Sequence, residues 1–245
     1  MTYITNITTM KEEIIQGDCL IEMAKIPDKS IDMILADLPY GTTGNKWDFV
    51  ISLPLLWIEY ERIIKSNGVV VLTAQTPFDK VLGCSNILML KYEWIYEKPM
   101  ATGHLNSKKM PMKAHENILV FYKQFPTYNP QMVAGEPYKS MSGRPSSNYG
   151  KQHSVPSDNK GVRFPRSIVR FPLDKVKYHP TQKPLALFEY LIKTYTNEGD
   201  LVLDNCAGSG TTGVACRNLG RNFILIEKEA EYIEIINKRL APPVT

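Results

Sequence analysis

The chain has 245 residues, 43% of them apolar, and a net charge of +4. That length accommodates one sizeable core with an insertion, and the longest apolar runs, Val69 to Leu72, Ile87 to Leu90 and Phe223 to Ile226, fall far short of the roughly 20 residues of a membrane span. No basic stretch followed by an apolar segment leads the chain, and the scattered His and Cys lack zinc-type spacing, so a soluble, cytoplasmic protein without a metal centre is expected.

In chain order, Glu12 to Asp18 reads as a short strand, Cys19 to Lys25 as a helix, and Ile31 to Asp37 as a strand buried on both faces. Leu53 to Lys65 has helical spacing and stops before Asn67-Gly68; Val69 to Thr73 is then a strand. Phe78 to Ser85 reads as a helix behind Pro77. Tyr92 to Tyr96 and Asn117 to Tyr122 read as strands separated by a Gly/Lys/Met-rich segment, 99 to 115. After an irregular stretch come a helix from Pro184 to Tyr195, a strand Leu201 to Asp204, a helix Thr211 to Leu219, a strand Phe223 to Glu227 and a helix Ala230 to Leu240. Seven strands alternating mostly with helices predict a doubly wound α/β sheet.

The stretch 124–178 differs in composition, being rich in Pro, Ser, Tyr, Asn, Gly and Lys/Arg with repeated turn clusters. A connection this long inside one domain is functional or disordered. Residues 98–183 carry 15 Lys/Arg against four acids, a net of +11, which leaves −7 for the remainder. A basic middle on an acidic scaffold fits a polyanion partner, and equally fits a solvated Lys-rich loop.

Two segments carry chemistry. Asp37-Leu38-Pro39-Tyr40 ends an apolar strand with a carboxylate, a rigid kink and an aromatic face, which suits a planar amine. Far along the chain, Asp204-Asn205-Cys206-Ala207-Gly208-Ser209-Gly210-Thr211-Thr212-Gly213 is a turn whose glycines let a nucleoside cofactor approach the backbone. With His179-Pro180-Thr181-Gln182-Lys183-Pro184 between them, the order resembles the beta arrangement of the adenine-N6/cytosine-N4 amino DNA methyltransferases, in which the catalytic half precedes the cofactor half.

The resemblance implies a mostly parallel seven-stranded sheet with one antiparallel strand. It divides the chain into a catalytic half (1–123), an inserted target-recognition region (124–178) and a cofactor half (179–245). It implies S-adenosylmethionine as methyl donor, lying against Asp18, Cys19, Asp37, His179, Thr181, Gln182, Lys183, Asp204, Ala207, Gly208, Ser209, Gly210, Thr211, Thr212 and Glu227. The amides starting the helix at Thr211 suit a carboxylate and Glu227 suits ribose hydroxyls; the alternative for Asp18 and Glu227 is an ordinary helix N-cap or first-turn acid. Asp37, Leu38, Pro39 and Tyr40 form the catalytic set. The Asp37 carboxylate and the Leu38 carbonyl accept the amino protons, and Tyr40 stacks on a flipped base. Asp at the first position favours adenine, and Leu38 departs from the family's commoner Pro.

Lys46, Arg144, Lys151, Arg163, Arg166 and Arg170 are the candidate DNA contacts, and duplex DNA is the expected partner. The resemblance also allows a homodimer and a cognate restriction endonuclease. Cytosine-N4 or RNA methylation, a catalytically silent DNA-binding protein and a small-molecule methyltransferase are the competing readings.

Overall fold

The computed structural model describes residues 11–41, 49–142 and 155–242. In chain order come β1 (Glu12–Gln16), α1 (Cys19–Met23), β2 (Ile31–Asp37), α2 (Leu53–Ile63), β3 (Ile64–Ala74), α3 (Phe78–Ser85), β4 (Leu90–Thr102) and β5 (Lys113–Phe121). Four short strands follow, β6 (Val133–Ala134), β7 (Tyr138–Ser142), β8 (Val155–Asn159) and β9 (Val162–Arg163). The remaining elements are β10 (Ile168–Arg170), α4 (Leu185–Tyr195), β11 (Leu201–Asp204), α5 (Thr211–Asn218), β12 (Asn222–Glu227) and α6 (Ala230–Arg239).

The main sheet has the order β1-β12-β11-β2-β3-β5-β4-β10. β5 runs antiparallel to both β3 and β4, and the other pairings are parallel. The period of two along β2 sends Ile34 and Ala36 to one face and Met33 and Leu35 to the other. On the first face they meet Met23 of α1, Leu56 and Tyr60 of α2 and Leu82 of α3. On the second they meet Leu191 and Ile192 of α4, Ala215 and Cys216 of α5 and Ile236 of α6. The sheet is therefore covered on both sides, the doubly wound arrangement the alternating elements predict.

Four details depart from the sequence reading. The helix over 53–65 stops at Ile63, because Ile64 already pairs with Ile31 as a buried strand residue, and the register shift between Ile31 and Met33 absorbs the residues before Val69. β4 and β5 extend far into 99–115, where backbone pairing such as Glu97 with His115 and Thr102 with Lys113 makes strand out of a sequence with no apolar alternation. The sheet gains an eighth strand, β10, a three-residue edge too short to carry a periodic signal. Helix ends shift by one or two residues, α1 ending at Met23, α5 at Asn218 and α6 at Arg239.

The chain divides into two compact units, Pro130–Arg166 and the remainder. Within the smaller unit β6 pairs antiparallel with β9, and β7 with β8. The larger unit includes the segments on either side of it: Asn129 donates its N–H to the Thr194 carbonyl at 2.7 Å, and β10 pairs with β4. Among the described residues no helix is long and apolar enough to cross a membrane, and no three His, Cys, Asp or Glu gather as metal ligands would.

Candidate active site

Direct pairing of β2 with β11, Ile34 opposite Leu203, brings the two sequence-distant motifs to the same carboxyl edge of the sheet. They border one cavity of about 840 Å³. Asp18, Cys19, Asp37, Leu38, Pro39, Tyr40, His179, Thr181, Gln182, Lys183, Asp204, Ala207, Gly208, Ser209, Thr211 and Glu227 all line it. Gly210 and Thr212 are buried and do not line it. Crevices at this edge of open α/β sheets are where ligands bind.

At one pole Asp37 is held from three sides. The Tyr40 hydroxyl donates to its Oδ1 at 2.6 Å, the Thr73 hydroxyl donates to the same oxygen, and the Lys183 ammonium donates to Oδ2 at 2.5 Å. An ionised carboxylate offers about four lone-pair sites. Two on Oδ1 and one on Oδ2 are taken, which leaves Oδ2 able to accept one further N–H. Lys183 also lies 3.2 Å from Glu116, whose other oxygen accepts from Gln75 at 2.9 Å and faces Lys98 at 3.6 Å. Burial opposes the Lys183 charge, yet Asp37, Tyr40 and Glu116 outweigh it and keep its pKa well above the ordinary lysine value. Burial, reinforced by Asp37, likewise holds the Tyr40 phenol well above its usual range. The Tyr40 ring stacks on Phe78 with centroids 5.3 Å apart, which fixes the tyrosine's plane at the cavity wall.

At the other pole the glycine-rich turn is built from inside. Burial pushes the Asp204 carboxyl up to about 7, against the Thr212 hydroxyl and the Cys206 N–H that donate to it. Gly210 caps α5 at φ +78°, and a Cβ there would come within 2.9 Å of Ile236 on α6, so glycine is required twice over. Arg239 of α6 donates to the Ser209 carbonyl at 2.7 Å and to the Thr211 hydroxyl at 3.2 Å. Glu227 accepts from the Gly208 N–H at 2.7 Å and the Glu229 N–H at 2.8 Å, and burial raises its pKa. The Glu227 carboxylate borders the cavity. Asp18 caps α1 by accepting the Leu20 N–H at 3.0 Å. Beside it the Cys19 and Cys206 thiols are hydrogen-bonded to one another, which lowers the Cys19 pKa and raises that of Cys206.

The His179 to Lys183 segment closes the gap between the poles. Gln182 accepts the Ser209 hydroxyl at 3.3 Å and donates to Asp174 at 2.6 Å, tying the segment to the turn. Thr181 bonds the His179 ring at 3.0 Å, and that ring packs against Tyr232 with centroids 4.5 Å apart. Burial lowers the His179 pKa. Lys183, which the sequence reading placed with the cofactor, lines the cavity and reaches to Asp37.

Of the candidate DNA contacts, Lys46, Arg144 and Lys151 lie outside the described residues. Arg163 is engaged inside the smaller unit: it donates to Asn159 at 2.5 Å and to the Glu136 carbonyl, and stacks 4.5 Å over Tyr138. Arg166 also belongs to that unit, whereas Arg170 forms a two-pronged pair with Glu97 at 2.6 and 2.7 Å. The residues that sequence reasoning missed are Thr73, Gln75, Lys98, Glu116 and Arg239. Thr73, Lys98 and Glu116 stand on strands, Gln75 follows β3 and Arg239 ends α6, all without a local motif, and only the buried acid of β5, Glu116, hints at them.

A family model described as DNA methylase, of the N6/N4 type, matches residues 31–238. The DNA adenine methyltransferase YhdJ of Escherichia coli is 35% identical over 249 residues, covering 93% of this chain and 82% of that protein. Among solved structures, a complex titled M1.HpyAVI-SAM superposes with a TM-score of 0.65 at 26% identity, covering 94% of this chain and 99% of that one. The cytosine-N4-specific PvuII DNA methyltransferase shares the fold, with a TM-score of 0.69 at 16% identity over 97% of this chain and 89% of that one. An acidic Asp37 and a glycine-bound turn in one crevice, within the span that the family model covers, leave one assignment: the chain belongs to the N6/N4 amino DNA methyltransferases.

Proposed function

We propose that the protein transfers a methyl group from S-adenosylmethionine to the N6 amino group of an adenine turned out of duplex DNA. The observation that carries this is the shared cavity that Asp37, Gly208 and Ser209 all border. Its acceptors fit the cofactor: Glu227 suits ribose hydroxyls and Asp18 the exocyclic amine of the cofactor's adenine, and Gly208 offers close backbone approach. When bound, the cofactor supplies a methyl carbon already activated by the adjacent sulfonium.

The protein's own work is then positional and electrostatic. An exocyclic amine is a poor nucleophile because its lone pair is delocalised into the ring. Asp37 Oδ2 and the Leu38 carbonyl accept hydrogen bonds from its two N–H groups, localise the lone pair and stabilise the charge that grows on nitrogen, and the one surplus proton of the methylated amine then leaves by way of Asp37 to solvent. Tyr40, Thr73 and Lys183 fix the carboxylate so that this oxygen points into the cavity. Pro39 stiffens the loop, and Tyr40, which borders the cavity, supports the base. Turning the base out costs a few kcal/mol, which that stacking partly offsets. We assign sequence reading to the inserted region within 124–178, and the reading extends to a cytoplasmic setting, a homodimer and a cognate restriction endonuclease as partners.

Expression in a methylation-free host followed by mass spectrometry of the digested nucleosides tests this. 6-Methyladenine that disappears with Asp37→Ala is the expected result; 4-methylcytosine alone, or unmodified DNA, contradicts it.

A further inference from the structure

The β4–β5 hairpin continues past the sheet beside the cavity, with Met100, Ala101 and Thr102 in the cavity wall. Strand pairing ends at Thr102 with Lys113, and the chain then turns at Gly103, φ +87°, with nothing within 4 Å of where a Cβ would stand. The 3-10 turn His104–Asn106 that follows presents Leu105 at 87% exposure, flanked by Met100 at 71% and by Met110 and Met112, also exposed. Residues 98–115 contain four lysines and no acid. Lys98 is turned inward to Glu116 and Thr102, while Lys108, Lys109 and Lys113 are exposed. An apolar tip ringed by unopposed cations is costly in water and complementary to a polyanion that offers apolar surface between its charges. A base stack between two phosphate rows is such a partner, and apolar side chains are known to wedge between base steps.

Resting on the reading of the cavity as the seat of a flipped adenine, we propose that this hairpin is a DNA wedge. Leu105 enters the stack and occupies the gap that the departing base leaves, and Lys108 and Lys109 lie on the flanking phosphates. The hairpin rises from the cavity wall itself, so the strands that border the base would also deliver the wedge. Occupying the gap removes the empty state to which the base would otherwise return.

Once the modified site is mapped, two duplexes separate the possibilities: one with the target adenine paired, and one with it opposite an abasic position, where little turning-out cost remains. Leu105→Ala, at a fully exposed tip, leaves the fold and cofactor binding intact. It is expected to lower kcat/KM about tenfold or more on the paired duplex and less than about threefold on the abasic one. Lys108→Ala with Lys109→Ala should reduce the slope of log affinity against log salt by about 2. Equal activity of Leu105→Ala and wild type on the paired duplex overturns the wedge, as does an unchanged salt slope for its flanking contacts. Equal losses on both duplexes, together with a dimer that becomes a monomer, assign the tip to a second copy of the chain and also overturn it. A wild type that methylates neither duplex refutes the functional reading instead.

Discussion

Replacing Lys183 with methionine removes the cation that Asp37 and Glu116 share while keeping most of the side-chain volume. Glu116 retains Lys98 and Gln75, so the loss falls chiefly on Asp37, 2.5 Å from the ammonium. Breaking a buried pair by removing one partner costs about 3–5 kcal/mol. The Asp37 side chain is 23% exposed and keeps Tyr40 and Thr73, which argues for the lower end, about 3 kcal/mol. Asp37→Asn alone leaves the buried ammonium facing Glu116, and the double substitution removes both charges together. Urea unfolding of the two single variants and the double variant closes a cycle, in which a coupling of about 2 kcal/mol is expected. Methyl transfer by Lys183→Met should fall about 100-fold, since a carboxylate displaced by about 1 Å loses its aim. Stability changes that add to within about 0.5 kcal/mol, with methyl transfer unimpaired, would refute the reasoning that Lys183 positions Asp37.

Further predictions concern the turn and the proton balance. The folded Asp204 carboxyl titrates near 7 rather than 3.8, so the folded state keeps a proton that the unfolded chain releases; stability should fall as pH rises from about 4 to about 7, by up to about 4 kcal/mol. Asp204→Asn should flatten that slope in thermal unfolding, and a slope identical to wild type would contradict the assignment. Lys183 titrates above its ordinary value, so its contribution is complete below about pH 10.5 and is lost only as pH rises through the higher folded value. Raising the pH from 6 to 9 should therefore leave the difference in stability between Lys183→Met and wild type unchanged. Gly210→Ala meets both a positive φ and Ile236, and should cost about 1–3 kcal/mol in chemical denaturation while weakening cofactor binding by calorimetry. Arg239→Ala frees Ser209 and Thr211, and should weaken cofactor binding about tenfold with little change in DNA affinity by fluorescence anisotropy.

The elements at the centre of the sheet were legible because their signals are local and strong. Ile31 to Asp37, apolar throughout Met33 to Ala36, and Leu201 to Asp204 both end an apolar run in an acid, and both become strands with those bounds. Their adjacency was not legible in the spacing, since nothing along the chain brings residue 37 beside residue 204; it comes from the pairing of β2 with β11. The β4–β5 extension was hidden because its stability comes from pairing between distant backbone segments, and β10 because three residues carry no period. At the site, Asp37 and the glycine turn announced themselves through motif chemistry. The partner of Lys183 did not: the link to Asp37 spans 146 positions and depends on how α4 is reached from the segment before it. Glu116 was invisible for the same reason, an acid between His115 and Asn117 in the polar half of β5 whose role is set by what faces it.

The most direct measurement is a crystal structure with S-adenosylhomocysteine, the demethylated cofactor, bound to the full chain. The account predicts the ligand in the cavity, its amino acid end against Gly208 and Ser209, its ribose hydroxyls at Glu227 and its sulfur directed toward Asp37. A ligand seated elsewhere, or one whose sulfur faces away from Asp37, would contradict it.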